Sequence, residues 1–161
     1  MIRLPKYLWL LLFVNCSSRY KNMSSLIVLP SFNILSIDSS ICLRSENIPS
    51  GYSLIFMYFS PSCEHCQKEI KEIVENSQKF GTAKIYCISN DPLEEIKHFY
   101  SQFHLSSNKN IVVGQDYNYT FYNHFLPPSV PFMAIYDNTK KLIKIYKGEV
   151  NVNSLVYSIQ Q

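Results

Sequence analysis

From residue 30 onward the hydrophobic positions switch repeatedly between strand-like and helix-like periods. Phe32 to Ile37 and Ser40 to Leu43 are short apolar runs on either side of Asp38-Ser39, which predicts a small hairpin. Pro49-Ser50-Gly51 signals a turn. Tyr52 to Phe59 is then unbroken apolar and aromatic sequence, as expected of a central strand covered on both faces. Ser60-Pro61-Ser62 ends that run. From Cys63 to Phe80 the period becomes helical, with Ile70, Ile73, Val74 and Phe80 on one side. Lys68, Glu69, Lys71, Glu72 and Glu75 fall mostly on the others, and Gly81 stands where a helix C-cap glycine belongs. Ala83 to Ser89 reads as the next strand. Asp91-Pro92-Leu93-Glu94 then predicts a helix start: Asp91 as cap, Pro92 in the first turn and Glu94 completing a capping box. Leu93, Ile96, Phe99, Tyr100 and Phe103 give that helix its apolar stripe.

Ile111 to Val113 is a short strand and Tyr117 to Phe125 a short helix. Val130 to Tyr136 and Leu142 to Tyr146 form two strands joined at Asp137-Asn138-Thr139, and Val152 to Ile159 a closing helix. The order is hairpin, strand-helix-strand-helix, then hairpin and helix. Such alternation predicts a layered α/β sheet whose late hairpin supplies an antiparallel edge.

Composition narrows the function. The chain is 47% hydrophobic and 17% charged, enough apolar sequence for a packed core. Its 12 Tyr and 10 Phe favour a β-containing core over a helical bundle. A formal net charge of +3, with no basic run interleaved with aromatics, excludes nucleic acid as the expected partner. The five cysteines, Cys16, Cys42, Cys63, Cys66 and Cys87, cannot all pair within one chain.

The first residues carry Arg3 and Lys6, then an apolar run from Tyr7 to Val14. That run is too short to span a bilayer and has the length of a signal-peptide core. Cys16 follows at once and resembles the lipidated cysteine of bacterial lipoproteins, although Asn15 stands where a small residue is usual. An uncleaved anchor, or secretion with Cys16 as bystander, is the plainer alternative. The expected division is a signal peptide over 1–15, a polar tether over 16–29 and one domain over 30–161. A chain beginning at Cys16 loses Arg3 and Lys6 and no acid, leaving +1, so strong attraction to anionic partners is not indicated.

Cys63-Glu64-His65-Cys66 lies between a buried strand and an amphipathic helix. Cys63 at a helix N-terminus meets unpaired N–H groups and the positive end of the macrodipole, both of which favour an anion. The thiolate is the reactive form of cysteine. Cys66, one turn on, is placed to attack a mixed disulfide formed at Cys63. A structural disulfide or half of a zinc site is the alternative. Zinc wants four ligands, His65 is too close to both cysteines to join them, and no second CxxC exists.

The segments FSPSCEHCQKE (59–69) and PPSVPFMAIYD (127–137) resemble the thioredoxin-like superfamily. Within it they are most similar to extracytoplasmic, lipoprotein or membrane-anchored thiol-disulfide oxidoreductases of the TlpA and ResA kind. The resemblance implies a three-layer α/β/α sandwich with a mixed central sheet, here with an extra N-terminal hairpin. It implies no cofactor, protein thiols and disulfides as substrates, an unidentified redox partner, and a place in the bacterial cell envelope or periplasm. Cys63 matches the nucleophile and Cys66 the resolving cysteine. Pro131 matches the cis-proline facing the pair, with Val130 before it shaping the substrate groove. Glu69 matches a glutamate that manages protons in ResA-like members, and Glu64 their acidic residue inside the motif. His65 matches the histidine of DsbA-like oxidants. Glu64 and His65 tune the pair in opposite senses, so no direction of electron flow is predicted. Two positions depart from the pattern. Ser62 replaces the Trp usual before the first cysteine, and Met57 replaces the buried Asp of thioredoxin itself.

Two rivals share this fold: a binding module that delivers copper or recruits a partner without turnover, and a peroxiredoxin. Copper-delivery proteins of the SCO kind use two cysteines, spaced by three residues rather than two, with a distant histidine. His124, near the Pro131 loop, is the candidate, since His98 and His104 fall in or just after a surface helix. A peroxiredoxin needs Ser or Thr three residues before its cysteine, which Ser60 supplies, but Phe56 stands where its proline belongs. Cys87 is expected to be inert core, and Cys42 either a half-exposed hairpin residue or one half of a pair whose partner the sequence does not identify.

Overall fold

A computed structural model describes residues 27–40 and 42–161. The expected signal peptide, most of the tether and Cys16 lie outside the described residues. Seven strands are found among the described residues: β1 (Asn33–Ser36), β2 (Cys42–Arg44), β3 (Leu54–Tyr58), β4 (Lys84–Ser89), β5 (Ile111–Gln115), β6 (Phe132–Tyr136) and β7 (Leu142–Lys147). Four α-helices accompany them: α1 (Glu64–Glu75), α2 (Leu93–Gln102), α3 (Thr120–Phe125) and α4 (Val152–Ile159).

The strands form one sheet in the order β2-β1-β5-β4-β3-β6-β7. β3, β4 and β5 run parallel, and β6, β7 and the β1–β2 hairpin add antiparallel pairs on either side. The chain steps from β3 to β4 to β5 in one direction. Right-handed crossovers therefore bring α1 and α2 to the same face. Ile55 and Met57 of β3 point into that face, packed with Ile70, Ile73, Ile96, Phe99 and, from α4, Leu155. Leu54, Phe56 and Tyr58 point to the other, packed with Phe32, Ile48 and Phe121. That second outer layer is thinner, made of α3 and the segments flanking the hairpin. Gly114 of β5 shows why a glycine sits mid-strand: a Cβ there would lie 2.3 Å from Ile34 Cγ2 and 2.6 Å from the Leu35 carbonyl oxygen.

Three local expectations are corrected. The predicted helix from Cys63 to Phe80 breaks at Asn76 and continues as a 3₁₀ turn, Ser77–Phe80, which swings Phe80 into the core. Gly81, at φ +56°, ends that turn rather than α1. Asp91 does not cap α2. Its carboxylate accepts the Ser89 hydroxyl at 2.8 Å, leaving Pro92 at the cap position with no side-chain bond and the capping box unformed. The buried Ser89 is the better partner, because its hydroxyl has no water to turn to.

Candidate active site

The buried end of β3 fixes the loop that follows it. Phe59 is in the core and its amide donates to Ile88 at 2.9 Å, anchoring the chain to β4. Ser60-Pro61-Ser62 leaves the sheet and turns, with the Cys63 amide donating to Ser60 at 3.1 Å. Gln67 Nε2 reaches back from α1 to the Pro61 carbonyl at 2.8 Å, tying loop to helix.

Cys63 is the N-cap of α1, in extended backbone geometry, and its sulfur accepts the Cys66 amide at 3.3 Å. A sulfur thus occupies the place where a capping oxygen ordinarily satisfies an unpaired N–H. Cys63 is half-buried and Cys66 fully buried, both free thiols. Burial foremost, and then the hydrogen bond to Cys63, push the Cys66 thiol well above its ordinary range. The backbone of Ser60 opposes that shift, and the charge of Glu69 adds to it.

β3 and β6 are antiparallel neighbours with Tyr58 opposite Phe132, so the end of one and the start of the other meet at the same edge. The Val130–Pro131 peptide is cis, and the Val130 carbonyl lies 3.9 Å from the Cys63 sulfur. The two segments singled out in the sequence therefore converge.

Glu69 is 2% exposed. The burial stripe of α1 is Cys66, Glu69, Ile70 and Ile73, so this carboxyl occupies a position that periodicity assigns to an apolar side chain. Oε2 accepts the Val150 amide at 2.8 Å, while Oε1 is buried with no protein hydrogen bond. Burial raises the carboxyl to a pKa of about 7, the Val150 N–H opposing and Glu72 and Glu149 adding. A cavity of about 290 Å³ lined by Lys68, Glu69, Glu72, Glu149, Val150 and Asn151 opens beside it. Met57 is fully buried in the core, and Glu64 and Ser62 are exposed.

His65 is exposed and its Nδ1 contacts the Glu149 carboxylate, whose other oxygen accepts Lys68 Nζ at 2.6 Å. Lys68 first, then His65, hold Glu149 below the usual carboxylate range. Neither Glu149 nor Val150 stood out in the sequence, because nothing local links residues 81–84 positions away. Asp116 was missed too. It is fully buried at the end of β5, and its oxygens accept the amides of Thr120 (2.8 Å), Phe121 (3.2 Å) and Tyr122 (2.9 Å). It thereby anchors α3, which leads into Val130–Pro131. The signal was weak, because the N-cap position itself is Tyr119, which makes no side-chain cap bond.

His124 lies on α3, edge-on to Phe125 at 4.9 Å. Among the described residues no three His, Cys, Asp or Glu side chains are grouped to hold a metal ion, so His124 is not assembled with Cys63 and Cys66 as a ligand set. Cys87 is buried in β4, its thiol pushed up to about 12 by burial. Cys42 is exposed on β2, its sulfur 3.9 Å from the Tyr117 hydroxyl.

No family model matches the chain, and no curated protein matches it. Solved structures do. DsbF of MTB, in mixed oxidised and reduced forms, superposes with a TM-score of 0.69 at 15% identity, over 80% of this chain and 92% of that one. A secreted Mycobacterium tuberculosis disulfide oxidoreductase homologous to E. coli DsbE gives 0.67 at 13%, over 80% and 94%. A peroxiredoxin-like protein from Aquifex aeolicus gives 0.67 at 15%, over 83% and 84%. The chain has the thioredoxin-like fold. That fold serves more than one chemistry in these neighbours, so an activity follows from the site and not from the fold.

Proposed function

We propose that the protein exchanges thiols and disulfides through Cys63 and Cys66. The observation that carries this is the contrast between the two sulfurs. Cys63 is accessible and accepts an N–H at a helix start, while Cys66 is buried behind it, one turn on. The two rivals lack such support: no ligand set for copper is assembled among the described residues, and Phe56 stands in place of the peroxiredoxin proline.

In the reducing direction the Cys63 thiolate attacks one sulfur of a substrate disulfide. A new S–S bond forms at Cys63, the substrate S–S bond breaks, and the leaving sulfur departs as thiolate and takes a proton. Cys66 then gives up its proton and attacks the Cys63 sulfur. The mixed disulfide breaks, the second substrate thiol leaves, and the Cys63–Cys66 disulfide holds the oxidising equivalents. Two electrons have moved from the pair to the substrate. In the oxidising direction the same steps run in reverse, and the reduction potentials of the two couples decide which occurs.

The Cys66 thiol resists ionisation, so its attack needs a base. Glu69, on the same buried stripe and with a pKa of about 7, is suited to take that proton and pass it to the adjoining cavity. Val130, beside Cys63 and ahead of the cis-proline, offers its backbone to an extended substrate segment. Glu64 and His65 add charge near the pair.

The reading extends to location. An exported protein, lipid-anchored through Cys16, fits the apolar run from Tyr7 to Val14, and the secreted neighbour is consistent with action outside the cytoplasm. Its substrates are then exported proteins.

Turnover of a test disulfide tests the central part. Cys63→Ser is expected to abolish it, and Cys66→Ser to accumulate mixed disulfides at Cys63. Full activity in both variants refutes the proposal.

A further inference from the structure

The β7–α4 connection grips the flank of the redox helix at three places. Glu149 contacts His65 with one carboxylate oxygen and Lys68 with the other, and the next residue, Val150, donates its amide to Glu69. His65 lies between the two cysteines in sequence, and Lys68 is one turn further on. Both side chains are thus engaged by a single acid from a distant part of the chain.

We propose that Glu149 is a positioning residue and counter-charge for the redox pair. It holds the His65 imidazole to the flank of α1 and offsets the positive charge of Lys68 on the side of the redox pair. This inference rests on the dithiol-disulfide reading of Cys63 and Cys66.

Charge bookkeeping fixes the sign of the effect. With Glu149 present, the cluster of His65, Lys68 and Glu149 carries only whatever charge the imidazole holds. Replacing Glu149 by a neutral isostere removes one negative charge from the cluster and leaves Lys68 without its counter-ion. The other charged side chains nearby, Glu64 and Glu72 on α1 and the buried Glu69, are common to both proteins. Added positive charge favours the thiolate, which exists only in the reduced state. The disulfide of the variant is therefore less stable and more oxidising.

The cluster is partly solvated: the side chains of His65 and Glu149 are 72% and 32% exposed. A unit charge acting through such a medium shifts ionisation by about threefold. The oxidation constant against glutathione should fall in Glu149→Gln by at most that factor, the limit being reached when the reduced pair is held as thiolate. At ~30 mV per tenfold for a two-electron couple, the reduction potential rises by at most about 14 mV.

The test is equilibration of the full chain in glutathione buffers at about pH 7, with the oxidised fraction read by alkylation and mass spectrometry. Wild type, Glu149→Gln and Lys68→Gln/Glu149→Gln are compared. The expected result is a fall of up to about threefold for Glu149→Gln and a return toward wild type in the double variant, whose net charge is restored. A role of Glu149 confined to packing does not predict that recovery. A normal wild-type disulfide with an unchanged or increased constant in Glu149→Gln overturns this inference and leaves the proposed function standing. A wild-type chain that never forms a Cys63–Cys66 disulfide overturns both.

Discussion

Glu69→Gln isolates the cost of the buried carboxyl. In the unfolded chain this glutamate has its ordinary value near 4.5, and in the folded protein about 7. The folded state therefore prefers the protonated form. The stability that this preference provides is fully present below about pH 4.5 and is lost as pH rises through about 7. The gap between the two values corresponds to about 3 kcal/mol. A glutamine can still accept the Val150 amide, and it carries no charge to desolvate. Urea unfolding of the reduced protein, at about pH 4.5 and about pH 8, measures the effect. The variant should match wild type at the lower pH and exceed it by about 3 kcal/mol at the higher, because only wild type then buries a carboxylate. The same substitution removes the proposed base for Cys66, so disulfide turnover should fall while stability rises. A variant whose stability follows the same pH dependence as wild type refutes the assignment of that dependence to Glu69.

Three further substitutions test the frame around the site. Asp116→Ala leaves three amides of α3 without their acceptor and should cost about 3 kcal/mol in urea unfolding, with Asp116→Asn milder because one oxygen remains. Gly114→Ala drives a Cβ into the Leu35 carbonyl and should lose about 1–3 kcal/mol as β1 is forced from β5, read from the denaturation midpoint. Cys87→Ala removes a buried sulfur that takes no part in the proposed exchange, so it should lower stability by about 1 kcal/mol and leave the rate of disulfide exchange unchanged.

Much of the frame was legible because the physics that sets it is local. The apolar run ending at Phe59 had to be a central strand, and β3 is buried along its whole length. The breaker Ser60-Pro61-Ser62 followed by helical periodicity fixed Cys63 at a helix start, where its sulfur now caps α1. The hairpins at both ends of the sheet followed from short apolar runs around turn residues. What stayed hidden depends on partners distant in sequence. Asp91 looked like a cap, but Ser89 claims its carboxylate. Glu69 looked like one more solvated helix acid, and only the family resemblance drew it into the site. Its burial depends on the arrival of Val150. Glu149 and Asp116 carry no local pattern that separates them from the chain's other acids, and their roles exist only once the chain has folded.

Thiol-disulfide exchange at this site requires Cys63 and Cys66 to form one reversible redox couple. Equilibration in glutathione buffers followed by peptide mapping measures that directly. The expected product is an intramolecular Cys63–Cys66 disulfide, with Cys42 and Cys87 outside it and a single two-electron midpoint. Oxidation that stops at glutathione adducts, or that leaves the two thiols unlinked at every buffer ratio, contradicts it.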